Sequence, residues 1–237
     1  MIPFMMIQET EIEKWRAATF LDKEPETILW IQSFKDGDVF FDVGANVGVY
    51  SLYCASLYPN SWVFAFEPDT PNYLHLIKNR ELNEFHNIHA FRIGIGATCE
   101  FSYFYPVKDE EGASGGQMGY PINEQGNPYQ PIDQNPTLIM TLDYFTYKYS
   151  IVMPNHVKID IDGLEECVII GMKELLKEKP LRSILVELNE RTNKAKIMSI
   201  MADAGFTINN EFNVAENHSR HRRKREGIKA ENWIFTR

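Results

Sequence analysis

Hydrophobic and polar residues follow two alternating rhythms along this chain. Short, largely apolar runs at residues 39–43, 61–66, 87–95, 157–161 and 183–188 predict strands, the first two of them buried. Between them the apolar positions recur at helical spacing. Residues 49–58 have helical potential, and Pro71 opens a helix, capped by Asp69 or Thr70, whose stripe is Tyr73, Leu74 and Ile77. A later helix carries Leu164, Cys167, Val168, Met172, Leu175 and Leu176 and ends at Pro180. Another carries Ile197, Ile200, Met201 and Ala204 and closes at Gly205. Ahead of the first strand, residues 9–20 read as a helix. A second, opened by Pro25 with Ile28, Leu29, Ile31 and Phe34, stops at Lys35-Asp36-Gly37-Asp38. Residues 206–212 and 233–236 predict two strands that finish the sheet. Strand and helix alternate, so the expectation is an α/β fold with a mostly parallel sheet and right-handed crossovers.

One region breaks the alternation. Residues 98–150 hold an aromatic strand, Phe101-Ser102-Tyr103-Phe104-Tyr105, then a loop at 109–136 dense in Gly, Pro, Asn and Gln, then a run at 137–142. Long irregular stretches inside compact domains are usually functional, so this insertion is the expected active-site cover. The chain thus divides into an N-terminal helical segment, 1–35, and one domain, 36–237, that carries the insertion.

The 237 residues hold 24 Lys and Arg against 33 Asp and Glu, so 24 − 33 gives a net charge of −9. That balance argues against a nucleic-acid partner, whose phosphates demand a basic face. One segment departs from it: Arg220-His221-Arg222-Arg223-Lys224-Arg225 is a basic run that reads either as a solvated loop or as a site for an anionic acceptor or a lipid surface carrying one, with Arg222 and Arg223 as substrate-binding candidates. Cys54, Cys99 and Cys167 form no CxxC pair, so neither a disulfide framework nor a zinc ribbon is expected. The early charges exclude a signal peptide and no apolar run has spanning length, so a cytoplasmic location is expected.

In an open parallel sheet, ligands bind beyond the carboxyl ends of the strands, where strand order reverses. After the first strand stands Asp42-Val43-Gly44-Ala45-Asn46-Val47-Gly48. It departs from the dinucleotide pattern GxGxxG because Asn46 and Val49 replace the second and third glycines, which disfavours a pyrophosphate and favours a nucleoside without phosphates. Asp42 would attract an amino or sulfonium cation. After the second strand, Glu67 is spaced as a ribose-binding acid.

These segments resemble the FkbM family of S-adenosylmethionine (SAM)-dependent methyltransferases. FFDVGANVGVYS, residues 40–51, is similar to the family's SAM loop, and FAFEPDTPNYLHLIKN, 64–79, to its ribose-binding segment. TLDYF, 141–145, resembles the TLD element, and VKIDIDGLEECVIIGM, 157–172, the KIDVEGxE signature, with Asp162 in place of the usual Glu. The resemblance implies a Rossmann-like, seven-stranded methyltransferase sheet with one antiparallel strand. It implies SAM as cosubstrate and O-methylation of a sugar or natural-product hydroxyl. By position, Asp42, Gly44, Asn46 and Gly48 would line the methionine part, and Glu67 with Pro68 would hold the ribose. Residues 94–96, ending at Gly96, would pass the adenine.

A hydroxyl acceptor must lose its proton, so a base is expected at the strand ends. Asp160 and Asp162 alternate by two after the fourth strand and would share a face if strand geometry continued. The candidate base is Asp160 or His156, with Asp160 also beside the cofactor and Asp162 as a further catalytic candidate; both acids could equally serve the turn before Gly163. Glu187 and Asn189 at the fifth strand's end are candidates for acceptor binding, or with Asp160 for a hard cation. His86 and His89 read as surface residues. A non-catalytic SAM-binding module and an NAD-dependent oxidoreductase are the alternative functions.

Overall fold

A computed structural model describes residues 4–123, 125–189, 192–212 and 230–237. The basic run at 220–225, with Arg222 and Arg223, lies outside the described residues. The chain starts with α1 (Glu11–Lys23) and α2 (Pro25–Gln32). A capping box starts α1: the Thr10 hydroxyl accepts from the Glu13 backbone N–H, and the Glu13 carboxylate accepts from the Thr10 backbone. Pro25 stands in the first turn of α2, where its missing N–H is not needed.

There follow β1 (Val39–Val43), α3 (Val49–Leu57), β2 (Trp62–Phe66), α4 (Thr70–Leu82) and β3 (Ile88–Phe91). Next come β4 (Gly94–Ile95), β5 (Glu100–Tyr105), β6 (Gln117–Met118), β7 (Asn135–Met140) and α5 (Leu142–Lys148). The last elements are β8 (His156–Ile159), α6 (Glu165–Ile170), β9 (Ser183–Leu188), α7 (Lys194–Asp203), β10 (Thr207–Ile208) and β11 (Glu231–Thr236).

The main sheet has seven strands in the order β10-β11-β9-β8-β1-β2-β3. β1 pairs parallel with both β2 and β8, β8 parallel with β9, and β11 antiparallel with both β9 and β10. This is the expected Rossmann-like sheet with one reversed strand. Every residue of β1 is buried, because helices cover both faces. Phe41 packs with Phe64, Phe66 and Phe145 on one side, and Phe40 with Trp30 and Phe34 on the other. Strand order reverses between β1 and β8, so their carboxyl ends diverge around a crevice.

Three local expectations change. The strand expected at 87–95 breaks after Phe91: β3 stays in the main sheet, whereas Gly94–Ile95 pairs with β7 in a second sheet of order β4-β7-β5-β6. Residues 98–150 are therefore not a simple hairpin and loop; they build most of that sheet, plus α5. The helix expected over 164–176 ends at Ile170, where Gly171 packs on the Gly96 carbonyl. A 3-10 turn, Leu175–Lys177, follows; the Asp143 carboxylate accepts from the Glu174 and Leu175 backbones at 2.8 and 2.9 Å.

Candidate active site

The turn after β1 is shaped by two glycines that only their conformation permits. Gly44 has φ +81°, and a Cβ there would collide with the Asp160 carbonyl oxygen, so the turn and the end of β8 touch backbone to backbone. Gly48 has φ +90° and faces Leu76. Between them Asn46, at φ +52°, donates its backbone N–H to Glu67 Oε2 at 2.7 Å. Glu67 Oε1 accepts from the Asp69 backbone at 2.9 Å. Burial pushes the Glu67 carboxyl up to about 8, against those two backbone hydrogen bonds. Each of its oxygens keeps a lone pair for a further donor.

A cavity of about 320 Å3 opens at these strand ends. Glu67, Pro68, Gly94 and Ile95 line one part, and Tyr50, Lys158, Asp160 and Glu187 another. Trp15, Arg16, Lys23 and Glu24 contribute from α1 and the α1–α2 junction; residues 106–108 and 113–116, with Phe104 and Met118, close it from the second sheet.

Lys158 is the centre of its electrostatics. This side chain is 1% exposed, 2.7 Å from Asp160 Oδ2 and 3.9 Å from Asp42 Oδ1, with Nζ 5.1 Å from the Tyr50 ring centroid. Burial disfavours its charge, but Asp160 and Asp42 outweigh that and raise its pKa. Burial raises Asp160 in turn, and Lys158 more than cancels it, so Asp160 is held ionised. Glu187 differs: half-buried on the cavity wall, it has a carboxylate that accepts no hydrogen bond from the described residues. Burial, then the charges of Asp160 and Glu24, push its carboxyl well above the ordinary range.

The structure brings together Gly44, Asn46, Glu67, Pro68, Asp160, Asp162 and Glu187 around this cavity. It moves the other candidates away. His156 starts β8, so it lies at the opposite edge of the sheet, buried against Phe34 and bonded to Ser183 and Asp38. It cannot reach the cavity as a base. Asp42 lies beneath the turn, off the cavity wall, where the Ser51 hydroxyl donates to it at 2.6 Å. Gly48 and Gly96 are buried behind the wall rather than on it. Asn189 turns aside to Thr192, which also bonds Glu165, so Asp160, Glu187 and Asn189 do not converge on a cation. Among the described residues, no group of three or more His, Cys, Asp or Glu is placed to hold a metal ion. Asp162 is at the cavity, but its φ of +57° ends the strand geometry that would have aligned it with Asp160. His89 stacks on Trp62 at 5.0 Å.

Sequence reasoning passed over Lys158, Tyr50, Asn72, the α1–α2 junction and Glu165. One of them carried a signal. Lys158 is a charge inside an otherwise apolar strand, which demands a buried partner. Glu165, fully buried, accepts from the Gly163 backbone at 2.9 Å and so ties the turn after β8.

A family model described as the methyltransferase FkbM domain matches residues 42–208. The chain belongs to the FkbM methyltransferase family. Methyltransferase 1 of Beauveria bassiana is 23% identical over 216 residues, covering 84% of this chain and 82% of the relative. The hexuronic acid methyltransferase AglP of Haloferax volcanii is also 23% identical, over 199 residues, covering 84% of this chain and 75% of the relative. In fold, this FkbM methyltransferase is similar to the METTL16 methyltransferase domain, with a TM-score of 0.52, 14% identity, and coverage of 99% of this chain and 73% of that one. Among its described residues, no helix is long and apolar enough to cross a membrane.

Proposed function

We propose that this FkbM methyltransferase uses SAM to methylate a hydroxyl group on a sugar or related glycan acceptor. The observation that carries the reading is the meeting of three features on one cavity: the close-approach turn at Gly44, the buried acid Glu67 with spare acceptor capacity, and the carboxylates at the ends of β8 and β9. These residues fit the cofactor. Glu67 would accept the ribose hydroxyls, the 44–46 backbone would border the methionine part, and Gly94 and Ile95 would flank the adenine.

When bound, SAM supplies a methyl group already activated by its sulfonium charge. The chain's own residues then align the acceptor, exclude water and remove a proton. Asp160, kept ionised by Lys158, favours positive charge in the cavity. Glu187 is the better proton acceptor, because its carboxylate accepts no hydrogen bond from the described residues, and burial, with the charges of Asp160 and Glu24, raises its basicity. Residues 106–108 and 113–116 act as the cover that keeps water out. The sugar class rests on the hexuronic acid methyltransferase relative; an anionic acceptor would meet exposed Lys108 at the cavity.

Calorimetry with SAM, its product S-adenosylhomocysteine and NAD separates the cofactor readings, and binding of NAD without either adenosyl ligand overturns this one. Labelled SAM with glucuronides, galacturonides and neutral glycosides then tests the acceptor: transfer to the uronides is expected. Transfer to none of the three classes rejects the sugar assignment.

A further inference from the structure

We infer that Asp162 is a positioning residue that fastens the roof of the cofactor cavity, in place of the catalytic role its sequence position suggested. The inference rests on the cofactor reading above only in naming what lies under the roof.

The backbone of residues 112–117 crosses the cavity and is tied down on both sides. On the α1 and α4 side, Arg16 Nε donates to the Gly112 carbonyl at 2.8 Å, and Asn72 Oδ1 accepts from the Gly112 N–H at 2.8 Å. The Ala113 carbonyl accepts from Asn46 Nδ2 at 2.7 Å and from Asn72 Nδ2 at 3.1 Å. Across the cavity, at the β8 end, one residue supplies two ties. Asp162 Oδ2 accepts from the Gly115 N–H, and its backbone carbonyl accepts from Gln117 Nε2, each at 2.8 Å. The left-handed backbone of Asp162 makes this possible: it turns the side chain off the line of β8 and onto the roof. Gly115, at φ +88°, presents its N–H in return.

A carboxylate that accepts a backbone N–H holds it more strongly than a neutral acceptor does. The α-side ties involve the turn residue Asn46, so roof and cofactor turn share a hydrogen-bond network. Truncating Asp162 leaves the Gln117 bond to its backbone carbonyl in place but cuts the charge-assisted tie to Gly115. Releasing it frees one margin of the roof and opens a path for the nucleoside and for water.

The test compares Asp162→Ala and Asp162→Asn with the natural chain. Asparagine keeps an acceptor oxygen for Gly115 but could not serve as a base. Without ligand, trypsin should cut after Lys108, beside the roof, at least about tenfold faster in D162A, as expected for losing one charge-assisted hydrogen bond, while D162N stays within about threefold of the natural chain. Dissociation of S-adenosylhomocysteine should accelerate in the same order. Equal cutting rates in D162A and the natural chain overturn the inference, and so does a D162N protein as open as D162A. The protease arm uses no ligand, so a failure of the cofactor reading leaves the roof tie tested. Circular dichroism of both variants separates local opening from global unfolding, and global unfolding in D162N also counts against the inference.

Discussion

The two edges of the main sheet are built from similar residue types and do opposite things. At the amino ends of β8 and β9, buried polar side chains from distant parts of the chain answer one another. Trp30 Nε1 donates to Ser183 Oγ at 2.8 Å; His156 Nε2 faces the Asp38 carboxylate at 3.0 Å and so carries the ring proton, leaving Nδ1 to accept from the Ser183 hydroxyl at 2.7 Å. Arg182 pairs with the same Asp38 carboxylate, and Phe34 stacks on the imidazole at 3.6 Å between centroids. At the carboxyl ends, Lys158 and Asp160 pair, but the Glu187 carboxylate accepts no hydrogen bond from the described residues and Glu67 keeps spare lone pairs. A closed network stabilises the fold; an incomplete one on a cavity wall is available to a ligand. Residue type alone does not separate the two, since each edge offers a carboxylate, a cation and a hydrogen-bonding partner.

The sharpest way to break this comparison is Lys158→Met. It leaves the buried Asp42 and the half-buried Asp160 without their cation, and should lower unfolding free energy by about 3–5 kcal/mol in urea titrations. A change under about 1 kcal/mol would mean that the lysine is not their compensating charge.

Glu187→Gln comes next. It should reduce turnover by ~10²–10⁴-fold and leave S-adenosylhomocysteine affinity unaltered, with an acceptor identified by the uronide panel. Because the carboxyl's pKa is raised, the natural chain's rate should climb as pH rises through that value, and the variant should lose this limb. A variant with the natural pH profile removes Glu187 from proton transfer.

His156→Ala probes the other edge. We expect a loss of about 1–3 kcal/mol in stability, with cofactor affinity within about twofold of the natural chain. Impaired cofactor binding without destabilisation would erase the distinction between the edges.

The smallest effect is the pH dependence of that network. Burial raises the Asp38 carboxyl, but hydrogen bonds from His156 and Arg182 outweigh it and hold it well below its ordinary 3.8. The folded state therefore binds fewer protons there than the unfolded state, so the Asp38 contribution is complete above the ordinary value and is lost progressively as pH falls from it toward the lower folded-state value. Burial also lowers His156 from 6.5, which adds a loss of the same sign as pH drops below that value. Melting temperatures between pH 7 and 3 should fall less steeply in His156→Ala than in the natural chain.

Much of the site was legible because it is local. The Gly44 turn and Glu67 sit directly after strands whose apolar runs are unmistakable, and the reversal of strand order puts both beside Asp160. His156 was legible too, had its distance been weighed: four residues along a strand at about 3.3 Å each put it roughly 13 Å from Asp160. Asp162 and the insertion were not. Whether a strand continues past Ile159 depends on what the next residues meet, and here they meet a roof contributed by residues 47 positions earlier.

The sequence by itself determined the alternation of strand and helix, the turn after β1 and the acid after β2, because each depends on neighbours within a few residues. Only the tertiary structure decided which carboxylates keep company. His156 meets Asp38 across 118 positions because β1 and β8 align Phe40 with His156. Asp162 leaves Asp160 for the roof because its backbone bends left-handed. Such pairings follow from strand register and chain crossing, which join residues far apart along the chain and leave no periodic trace in it.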